Sequence, residues 1–413
     1  MASQNAAAAP VFRAYLLVVG SAFAALGIQM VLFPYLVAVE LHERPALIGI
    51  AQMAVMLPAL LFLLPAGALA DRVDGKSFLA SYHLVASIPP LILAAVLYAG
   101  GLSYSVIISY ALLMGTLSAF ALPVREAMVA RVMPGMTMQL AISAIVAAQF
   151  VTQLIGMSAV GVFNWAFPSG KTVIAEVMLV IQAIVFFAGV LAARVLPHNE
   201  PLKAAKSGLA GRWHEIHDGL IEAMTSPSIM PIIVAMFAVG SLYVGSFFTI
   251  IPVLIRDNYH GDAGTFSLVN IAFWSGTITA NIAMMRRKGI QHQGRAIAIA
   301  LFGGAIVLSL MSVPAPLWVL CLLCFAWGVG AGVTITLGRT IVQEAAPPSH
   351  RGRIMSIYQF GFSGGAPVGA LVLGFIVDAI GPYQTARIGP VVMIVVLALL
   401  SLSTGLLSIK ART

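Results

Sequence analysis

The sequence predicts an all-α membrane protein in which twelve transmembrane helices form two pseudo-symmetric six-helix bundles. Three observations predict this fold class. Of the 413 residues, 60% are hydrophobic and only 9% are charged, whereas a soluble domain is about 25% charged, so lipid must cover most of the surface. Apolar runs of about 20 residues, each long enough to cross the hydrocarbon core as a helix, recur along the chain. The second half of the chain also repeats features of the first.

The predicted spans are helices because a backbone in lipid has to satisfy its own hydrogen bonds. The runs are also too long and too uniformly apolar for barrel strands. They cover residues 14–39, 46–70, 77–99, 104–124, 138–164, 172–196, 229–255, 264–285, 295–313, 315–338, 354–380 and 384–408. Only Arg13 provides a basic charge before the first run, which is longer than the apolar region of a secretory signal. We therefore expect this run to remain as the first span.

The basic residues set the predicted orientation. An even number of spans places both termini on one side, and 18 of the 22 Lys and Arg residues fall on that side. The four on the other side are Arg44, Lys171, Arg256 and Arg387. Both termini are therefore predicted to be cytoplasmic, in a multi-pass protein of the inner or plasma membrane. Because the basic residues are spread over several loops facing anionic lipid, nucleic acid is not an expected partner.

The longest polar connection divides the chain into two halves of six spans. We predict one bundle at 1–196 and a second at 229–413, joined by a cytoplasmic linker at 197–228. Within the linker, the stretch GRWHEIHDGLIEAM places Trp213, Ile216, Leu220 and Met224 on one stripe of a helix. This pattern is typical of an amphipathic helix that lies in the membrane interface.

An internal repeat supports the division into two similar bundles. The halves align without a gap over their fourth and fifth spans at an offset of 213 residues. The aligned pairs are Gly115 and Gly328, Pro134 and Pro347, Ser143 and Ser356, Gly156 and Gly369, and Gly161 and Gly374. Span eleven also carries Gly361, Gly365 and Gly369 on one face, which favours close helix packing. Parallel repeats of this kind build one large class of transporters, in which the two halves rock around a central cavity.

Two quoted stretches carry a family resemblance. The sequence GALADRVDGK, residues 67–76, lies between the second and third spans and holds four of the few charges in the chain. It resembles the loop signature of the major facilitator superfamily. The stretch PPSHRGRIMSIYQFGFSGGAPVGALVLGFIVD, residues 347–378, is similar to the loop and span eleven of that superfamily's drug-efflux-like branch. This branch includes enterobactin exporters, macrolide-efflux proteins and transmembrane secretion effectors. The resemblance implies the twelve-helix fold and a secondary transporter.

The charged loop is predicted to form a cytoplasmic gate. The Asp71 carboxylate ends a span, where it can meet the positive N-terminus of span eleven or the side chains of Arg125 or Arg131, and so hold the two halves together. The alternative is a basic loop that only signals topology. The predicted gating residues are Gly67, Asp71, Arg72, Gly75, Lys76, Arg125, Arg131, Arg351 and Arg353.

Uncharged polar side chains within spans are the predicted substrate contacts, with ordinary helix packing as their alternative role. They are Gln29, Gln52, Gln149, Gln153, Tyr243, Asn270, Trp274, Tyr358 and Gln359. Such a lining suits a neutral or amphipathic organic molecule, because an anion would need buried Arg or Lys. Titratable residues inside spans mark ion paths, and the candidates for coupling are His83 within span three and Glu40 and Asp378 near the outer ends of their spans. For His83, a structural role is the alternative.

We therefore predict a secondary active transporter that exports small drug- or siderophore-like molecules by alternating access, with protons as the expected coupling ion. One alternative is a lipid or lysophospholipid flippase of the same fold. Another, from a different class, is a structural or interaction protein without transport activity. The protein is expected to be a monomer, not an enzyme, and to hold no cofactor or metal. Cys321 and Cys324 lie within an apolar span, without other metal-ligating residues nearby in the sequence.

Overall fold

The helices of the protein follow the predicted apolar runs. A computed structural model describes residues 2–70, 72–132, 138–167, 171–198, 224–286, 290–347 and 351–411. Its α-helices cover Ala2–Tyr35, Pro45–Leu61, Leu63–Ala70, Gly75–Tyr98, Tyr104–Met128, Met138–Ala166, Lys171–Ala193, Met230–Ala238, Gly245–Asp257, Ala263–Arg286, Gln293–Leu310, Leu317–Ala345, Arg351–Ile380 and Pro382–Ser403. Within these ranges there is no β-strand. The predicted all-α membrane fold is confirmed.

The second span differs from its prediction as one helix over 46–70. It consists of two helices, Pro45–Leu61 and Leu63–Ala70, which are separated by a turn at Phe62. The physical reason is Pro65, which has no N–H to donate to the carbonyl of Leu61. In the described part of the chain, eleven helices are long and apolar enough to cross a membrane, and Pro45–Leu61 is a shorter apolar helix.

Two spans contain a π-helical segment, in which each turn holds an extra residue. Leu36–Glu40 extends the first span, and Val239–Val244 joins Met230–Ala238 to Gly245–Asp257 within the seventh. Segments of this kind are rare and occur frequently at functional sites. The first and seventh spans are the opening helices of the two sequence halves, so both halves carry this feature in the same helix.

The chain divides into two compact units, and each is described by itself. Unit 1 comprises Met1–Glu43, Ala54–Ala205 and Gly261–Leu268, and unit 2 comprises Arg44–Met53, Lys206–His260 and Val269–Thr413. Each unit thus includes a short segment from the other half of the sequence. The division at 197–228 stays a prediction, because residues 199–223, with most of the predicted amphipathic helix, lie outside the described residues.

The glycines of the internal repeat occupy equivalent helix crossings, which supports the repeat itself. A Cβ on Gly115 would lie closer than 3.0 Å to the carbonyl oxygen of Val55, and one on Gly328 would lie closer than 3.0 Å to that of Phe273. Spans four and ten therefore pack tightly against spans two and eight.

Two other aligned glycines, Gly156 and Gly369, also lie at corresponding helix crossings in the two halves. A Cβ on Gly156 would lie within 3.0 Å of the Ala24 carbonyl oxygen, and one on Gly369 within 3.0 Å of the Ser241 carbonyl oxygen. Span five thus packs on span one as span eleven packs on span seven. These backbone-to-backbone contacts leave no room for a side chain, which is the reason for glycine at these positions.

Candidate functional site

A hydrogen-bonded network of uncharged side chains crosses unit 1. The Gln182 amide nitrogen donates to the carbonyl oxygen of Ala25 at 3.2 Å and to Oε1 of Gln29 at 3.5 Å. The Tyr110 hydroxyl donates to Oε1 of Gln182 at 3.3 Å. Gln182, in span six, is fully buried. Sequence reasoning selected Gln29 but missed Gln182, although a lone glutamine in an apolar span was the signal that could have identified it.

The remaining predicted glutamines of the first half differ in their surroundings. Gln153 is buried and directs its amide nitrogen at the sulfur of Met30, 3.3 Å away. Gln149 is half-buried. Gln52, which lies in unit 2, is buried, and its amide nitrogen has no hydrogen-bond partner among the described residues. Gln149 is therefore the least buried of these three.

An aromatic cluster forms the interior of unit 2 around the π-helical segment of span seven. The ring of Phe247 lies 4.6 Å from that of Phe273 and 5.9 Å from that of Trp327, measured between centroids. Trp327 also contacts Tyr243 at 5.9 Å, and Trp274 contacts Phe273 at 5.8 Å. Except for the tilted Phe247–Phe273 pair, these rings meet edge to face, which is a favoured geometry for aromatic pairs. Sequence reasoning selected Tyr243 and Trp274 as site residues and missed Phe273 and Trp327.

Several predicted contacts of the second half are hydrogen-bonded within unit 2. The Tyr243 hydroxyl donates to the Leu301 carbonyl oxygen at 2.6 Å, and the buried Tyr358 hydroxyl donates to that of Ile335 at 3.4 Å. Asn270 is also buried. Gln359, in contrast, is exposed and donates to the Ser363 hydroxyl at 2.8 Å. The half-buried Trp274 and Gln359 are thus more accessible than the other three.

None of the polar side chains that are buried among the described residues carries a carboxylate, ammonium or guanidinium group. Among the described residues, those that are buried comprise only Gln, Asn, Ser, Thr and one histidine, His83, besides the tyrosines. No Asp, Glu, Lys or Arg in this part of the chain is buried. An interior of this composition offers hydrogen bonds and aromatic faces but no fixed countercharge.

The coupling candidates lie in three different environments. Glu40 ends the π-helical segment of span one and accepts a hydrogen bond from the Tyr35 hydroxyl. Asp378 forms an ion pair with Arg44 at 2.9 Å. His83 is buried, with Nδ1 2.8 Å from the Leu79 carbonyl oxygen and Nε2 3.1 Å from that of Val18. Glu40 is the only one of the three that combines a carboxyl group with a helix irregularity.

His83 is built into the packing of unit 1. A Cβ on Gly189 would lie closer than 3.0 Å to the His83 ring, so the space for the imidazole depends on that glycine. We expect His83→Ala to lower the stability of unit 1 by about 2–4 kcal/mol, because it leaves a cavity and removes a cross-helix hydrogen bond. The pH dependence of transport should stay unchanged in protein that remains folded.

The measurement is thermal unfolding of the purified variant, followed by activity over a range of pH. His83→Asn is the companion variant, since its amide retains a donor for one carbonyl while it cannot titrate. A shifted pH profile in both variants, with unaltered unfolding temperatures, would assign His83 to coupling instead of structure.

The charged loop after span two is only partly described. Asp71 and the side chains of Arg351 and Arg353 lie outside the described residues, so the latch stays a prediction. Gly67 has open space around it, Arg72 and Arg131 are exposed, and Lys76 is half-buried. Gly75 begins the helix of span three.

Two charged residues at this end have clear structural roles. Asp74 caps the helix of span three by accepting from the Ser77 backbone N–H at 3.1 Å, and it also pairs with His198 at 2.9 Å. This cap explains the carboxylate at position 74. The Arg125 guanidinium lies over the ring of Phe23, 4.8 Å from its centroid, and Tyr15 donates to the Arg125 carbonyl oxygen at 2.6 Å. Arg125 therefore joins span four to span one.

A contact between spans five and eight lies at the predicted outer end of unit 1. The Asn164 amide donates to the Asp262 carboxylate at 2.8 Å, and Asp262 also accepts from the Thr265 backbone N–H at 3.0 Å. Partial burial raises the pKa of Asp262, but these hydrogen bonds outweigh burial and hold it below its usual value. The carboxylate therefore stays charged at neutral pH. Nearby, the Ser267 hydroxyl donates to the Met157 carbonyl oxygen at 2.6 Å and closely approaches Gly161.

A second contact, between spans two and eleven, lies at the predicted outer end of unit 2. The Cα of Gly374 is so near Gly49 that a Cβ on Gly49 would lie 3.0 Å from it, and closer still to the Ala370 carbonyl oxygen. The Arg44–Asp378 ion pair closes the end of this crossing. Gly161 and Gly374 are aligned in the internal repeat, so the two contacts lie at corresponding helix ends, although Gly161 meets the Ser267 side chain and Gly374 meets the backbone of Gly49 and Pro45. Sequence reasoning found these glycines but not their partners.

Comparison with known proteins identifies the family and the fold. The family model of the Major Facilitator Superfamily matches residues 15–370 and 248–410. No curated protein matches the chain. Among solved structures, a mutant of the nucleoside transporter NupG is similar, with a TM-score of 0.76, 16% identity and coverage of 95% of this chain and 99% of that one.

Two further structures show the same fold. A POT family transporter in complex with 5-aminolevulinic acid has a TM-score of 0.68 and 10% identity, with 97% of this chain and 96% of that one covered. The human organic anion transporter MFSD10 (TETRAN) has a TM-score of 0.60 and 16% identity, with 95% and 99% covered. At these identities the likeness establishes the fold.

Proposed function

The chain belongs to the Major Facilitator Superfamily, and from this premise we propose that it exports small amphipathic organic molecules across the plasma membrane, with both termini in the cytoplasm. That the protein is a membrane transporter and not an enzyme follows from its family and fold. The substrate class, the direction and the coupling ion are the content of the proposal.

The observation that carries the substrate class is the uncharged interior. A transporter of organic anions or phosphorylated sugars needs buried cationic side chains to compensate the charge of its substrate. Within the described part of the chain, Arg and Lys are never buried. A neutral or weakly charged solute with apolar groups matches this interior best, since it requires hydrogen bonds and apolar contact only.

The accessible residues of each unit offer one kind of contact for such a solute. In unit 2, the half-buried rings of Phe248, Phe273 and Trp274 supply faces on which planar or apolar groups can stack. In unit 1, the half-buried amide of Gln149 supplies both a donor and an acceptor. The deeply buried Gln29, Gln153 and Gln182 are instead assigned to holding their helices together.

The two equivalent glycine crossings are proposed as the contacts that close the outer ends of the helices during alternating access. Both are built from helix ends, spans two and eleven in one case and spans five and eight in the other. Whereas the Gly161 contact is made with the Ser267 side chain, the crossing of Gly49 with Gly374 depends on bare backbone contact and can separate and re-form without rearrangement of side chains. This property suits an interface that opens once in each transport cycle.

Protons are the proposed coupling ion, and Glu40 is the proposed proton-binding group. Its carboxylate accepts from the phenol of Tyr35 within unit 1, at the π-helical end of span one. His83 and Asp378 are occupied by structural contacts. A carboxyl group near the membrane boundary can exchange its proton with water and still lie on a helix that moves with the cycle.

We expect Glu40→Gln to abolish the stimulation of transport by a pH gradient, because the amide cannot bind the transported proton, while exchange without a gradient persists. The assay is flux into proteoliposomes with an imposed pH gradient, compared with a sodium gradient of the same size. Glu43→Gln, in the same outer loop, is the matched control and should retain the stimulation.

The same vesicles test the substrate class. Amphipathic organic compounds, nucleosides and short peptides are offered in parallel, since the similar structures include nucleoside and POT family transporters. Saturable flux of the amphipathic compounds alone supports the proposal. Flux of nucleosides or peptides instead would contradict the proposed substrate class and identify one of these compounds as the substrate. No flux of any compound would indicate a protein without transport activity.

A further inference from the structure

A groove on the outside of unit 1 contains an acidic side chain that the proposed transport function does not use. The groove has a volume of about 440 Å³ and runs between spans three and six. It is lined by Leu91, Ala94, Ala95, Tyr98, Glu176, Val177, Val180 and Ile181. Apart from Glu176 and the Tyr98 hydroxyl, the lining is apolar. Leu91, Val180 and Tyr98 are exposed on the surface of the protein.

The carboxylate of Glu176 is the unusual feature of this groove. It forms no hydrogen bond or ion pair with any of the described residues. Other carboxylates at the predicted outer end are paired, Asp378 with Arg44 and Asp262 with Asn164. An ionisable group within a membrane span is costly unless a partner compensates its charge, and none of the described residues supplies that partner for Glu176.

The position of Glu176 in the span identifies the surroundings that can supply this partner. Glu176 is the sixth residue of the helix Lys171–Ala193, about 8 Å from its start at 1.5 Å per residue. Tyr98 is the last residue of the helix of span three, where tyrosine is typical of the headgroup level. The groove therefore places its carboxylate near the lipid headgroups and its apolar walls along the acyl chains.

We propose that this groove binds one phospholipid with a primary ammonium headgroup, of the phosphatidylethanolamine type. The ammonium group compensates the charge of Glu176 and donates a charge-assisted hydrogen bond to its carboxylate. The Tyr98 hydroxyl, at the same end of the groove, is a donor for the lipid phosphate. One acyl chain packs against Leu91, Val177 and Val180. The small side chains of Ala94 and Ala95 leave the space for it.

The chemistry of the headgroup nitrogen favours an ethanolamine lipid over the other common phospholipids. Phosphatidylcholine also carries a positive charge, but its quaternary nitrogen has no N–H to donate. An anionic lipid would place a second negative charge beside Glu176. The site is therefore expected to distinguish ethanolamine from choline lipids, which have the same phosphate and the same acyl chains.

The experiment compares lipid retention by the purified full chain in native mass spectrometry. The protein is taken from vesicles that contain equal amounts of phosphatidylethanolamine and phosphatidylcholine with matched acyl chains. We expect the ethanolamine lipid to be retained in preference, and Glu176→Gln to reduce that preference about tenfold, which corresponds to the loss of one charge-assisted hydrogen bond. Glu43→Gln should retain the full preference.

A second variant tests the apolar part of the groove. Ala95 is exposed, so Ala95→Phe should fold normally and fill the space for the acyl chain, which reduces retention of both lipids. Equal retention of the two lipids by the unmodified protein, or an undiminished preference in Glu176→Gln, contradicts the proposed headgroup. Unchanged retention in Ala95→Phe contradicts the proposed acyl position. None of these results depends on which solute the protein transports.

Discussion

Gly369→Ala is expected to destabilise the protein more than any other single-methyl addition in span eleven. The new Cβ would lie closer than 3.0 Å to the carbonyl oxygen of Ser241, in the backbone of span seven. A flexible side chain could move away, but this neighbour is the main chain of a packed helix. Overpacking of this kind costs about 1–3 kcal/mol or more. The crossing also continues along the same helix face, where a Cβ on Gly365 would lie closer than 3.0 Å to the Phe237 carbonyl oxygen, although less close than the one on Gly369 to its neighbour.

The matched control for this substitution is Gly303→Ala. Gly303 lies within the helix of span nine, and a Cβ there would meet no atom within 4 Å. Because alanine is favoured over glycine in a helix by about 1 kcal/mol, this variant should be as stable as the unmodified protein or more stable. Thermal unfolding of both in the same detergent or lipid should therefore show shifts of opposite sign. Shifts of the same size and direction would contradict the assigned crossing.

The internal repeat extends the prediction for Gly369→Ala to the first half of the chain. Gly156, which aligns with Gly369, is as close to the carbonyl oxygen of Ala24 in span one. Gly156→Ala should consequently lower the unfolding temperature by an amount similar to Gly369→Ala. A much smaller effect would mean that the two crossings, although aligned in sequence, are not energetically equivalent.

The sequence was sufficient to predict the features that depend on lipid and on local pattern. Apolar runs of span length predicted the helices because a membrane leaves the backbone no alternative. The glycine stripe of span eleven, which includes Gly369, predicted a close helix crossing, because glycine in a lipid-embedded helix commonly marks close approach. Neither argument required knowledge of a partner residue, and both are confirmed in the structure.

Features that depend on long-range packing could not be predicted in this way. Gln182 and Trp327 were missed because their importance comes from neighbours on other helices, Tyr110 in one case and Phe247 in the other. His83 could be interpreted as a proton carrier until its two backbone partners were located.

The grouping of segments 44–53 and 261–268 is the strongest example of long-range packing that the sequence does not reveal. Each groups with helices of the other sequence half, and no local pattern in either segment indicates this. Their grouping arises from the contacts of Gly49 with Gly374 and of Ser267 with Gly161. One glycine of each contact was recognised from the repeat, but the partner belongs to a span that did not enter the alignment.

Gly374→Leu is expected to reduce transport at least tenfold while the protein still inserts and folds. A Cβ on Gly374 would already lie within 3.0 Å of the Gly49 Cα and at 3.0 Å from the Pro45 carbonyl oxygen, so a leucine side chain has to separate the ends of spans two and eleven. The rest of span eleven keeps its crossing with span seven through Gly365 and Gly369. If closure of the outer ends is a step of the transport cycle, this variant cannot complete it.

Two measurements together distinguish a blocked cycle from a misfolded protein. Gln52 is only 3% exposed, so Gln52→Cys, in a chain whose two native cysteines are replaced, should react slowly with a membrane-impermeant maleimide. Adding Gly374→Leu should make that cysteine reactive from the outer side, and flux in proteoliposomes should fall. Gly303→Leu, the same substitution at an open position, should change neither result.

The Arg44–Asp378 ion pair lies beside the crossing of Gly49 with Gly374. Removing it tests whether the loss of transport in Gly374→Leu comes from the glycine contact. The Arg44 side chain is 72% exposed, and an exposed ion pair contributes about 0–1 kcal/mol. Asp378→Asn should therefore alter transport by no more than a few-fold and leave the reactivity of Gln52→Cys nearly unchanged. Backbone contact between Gly49 and Gly374, with no side chain that could adapt, is then the larger determinant of closure. A loss of transport in Asp378→Asn as severe as in Gly374→Leu would reverse that order and make the ion pair the gate.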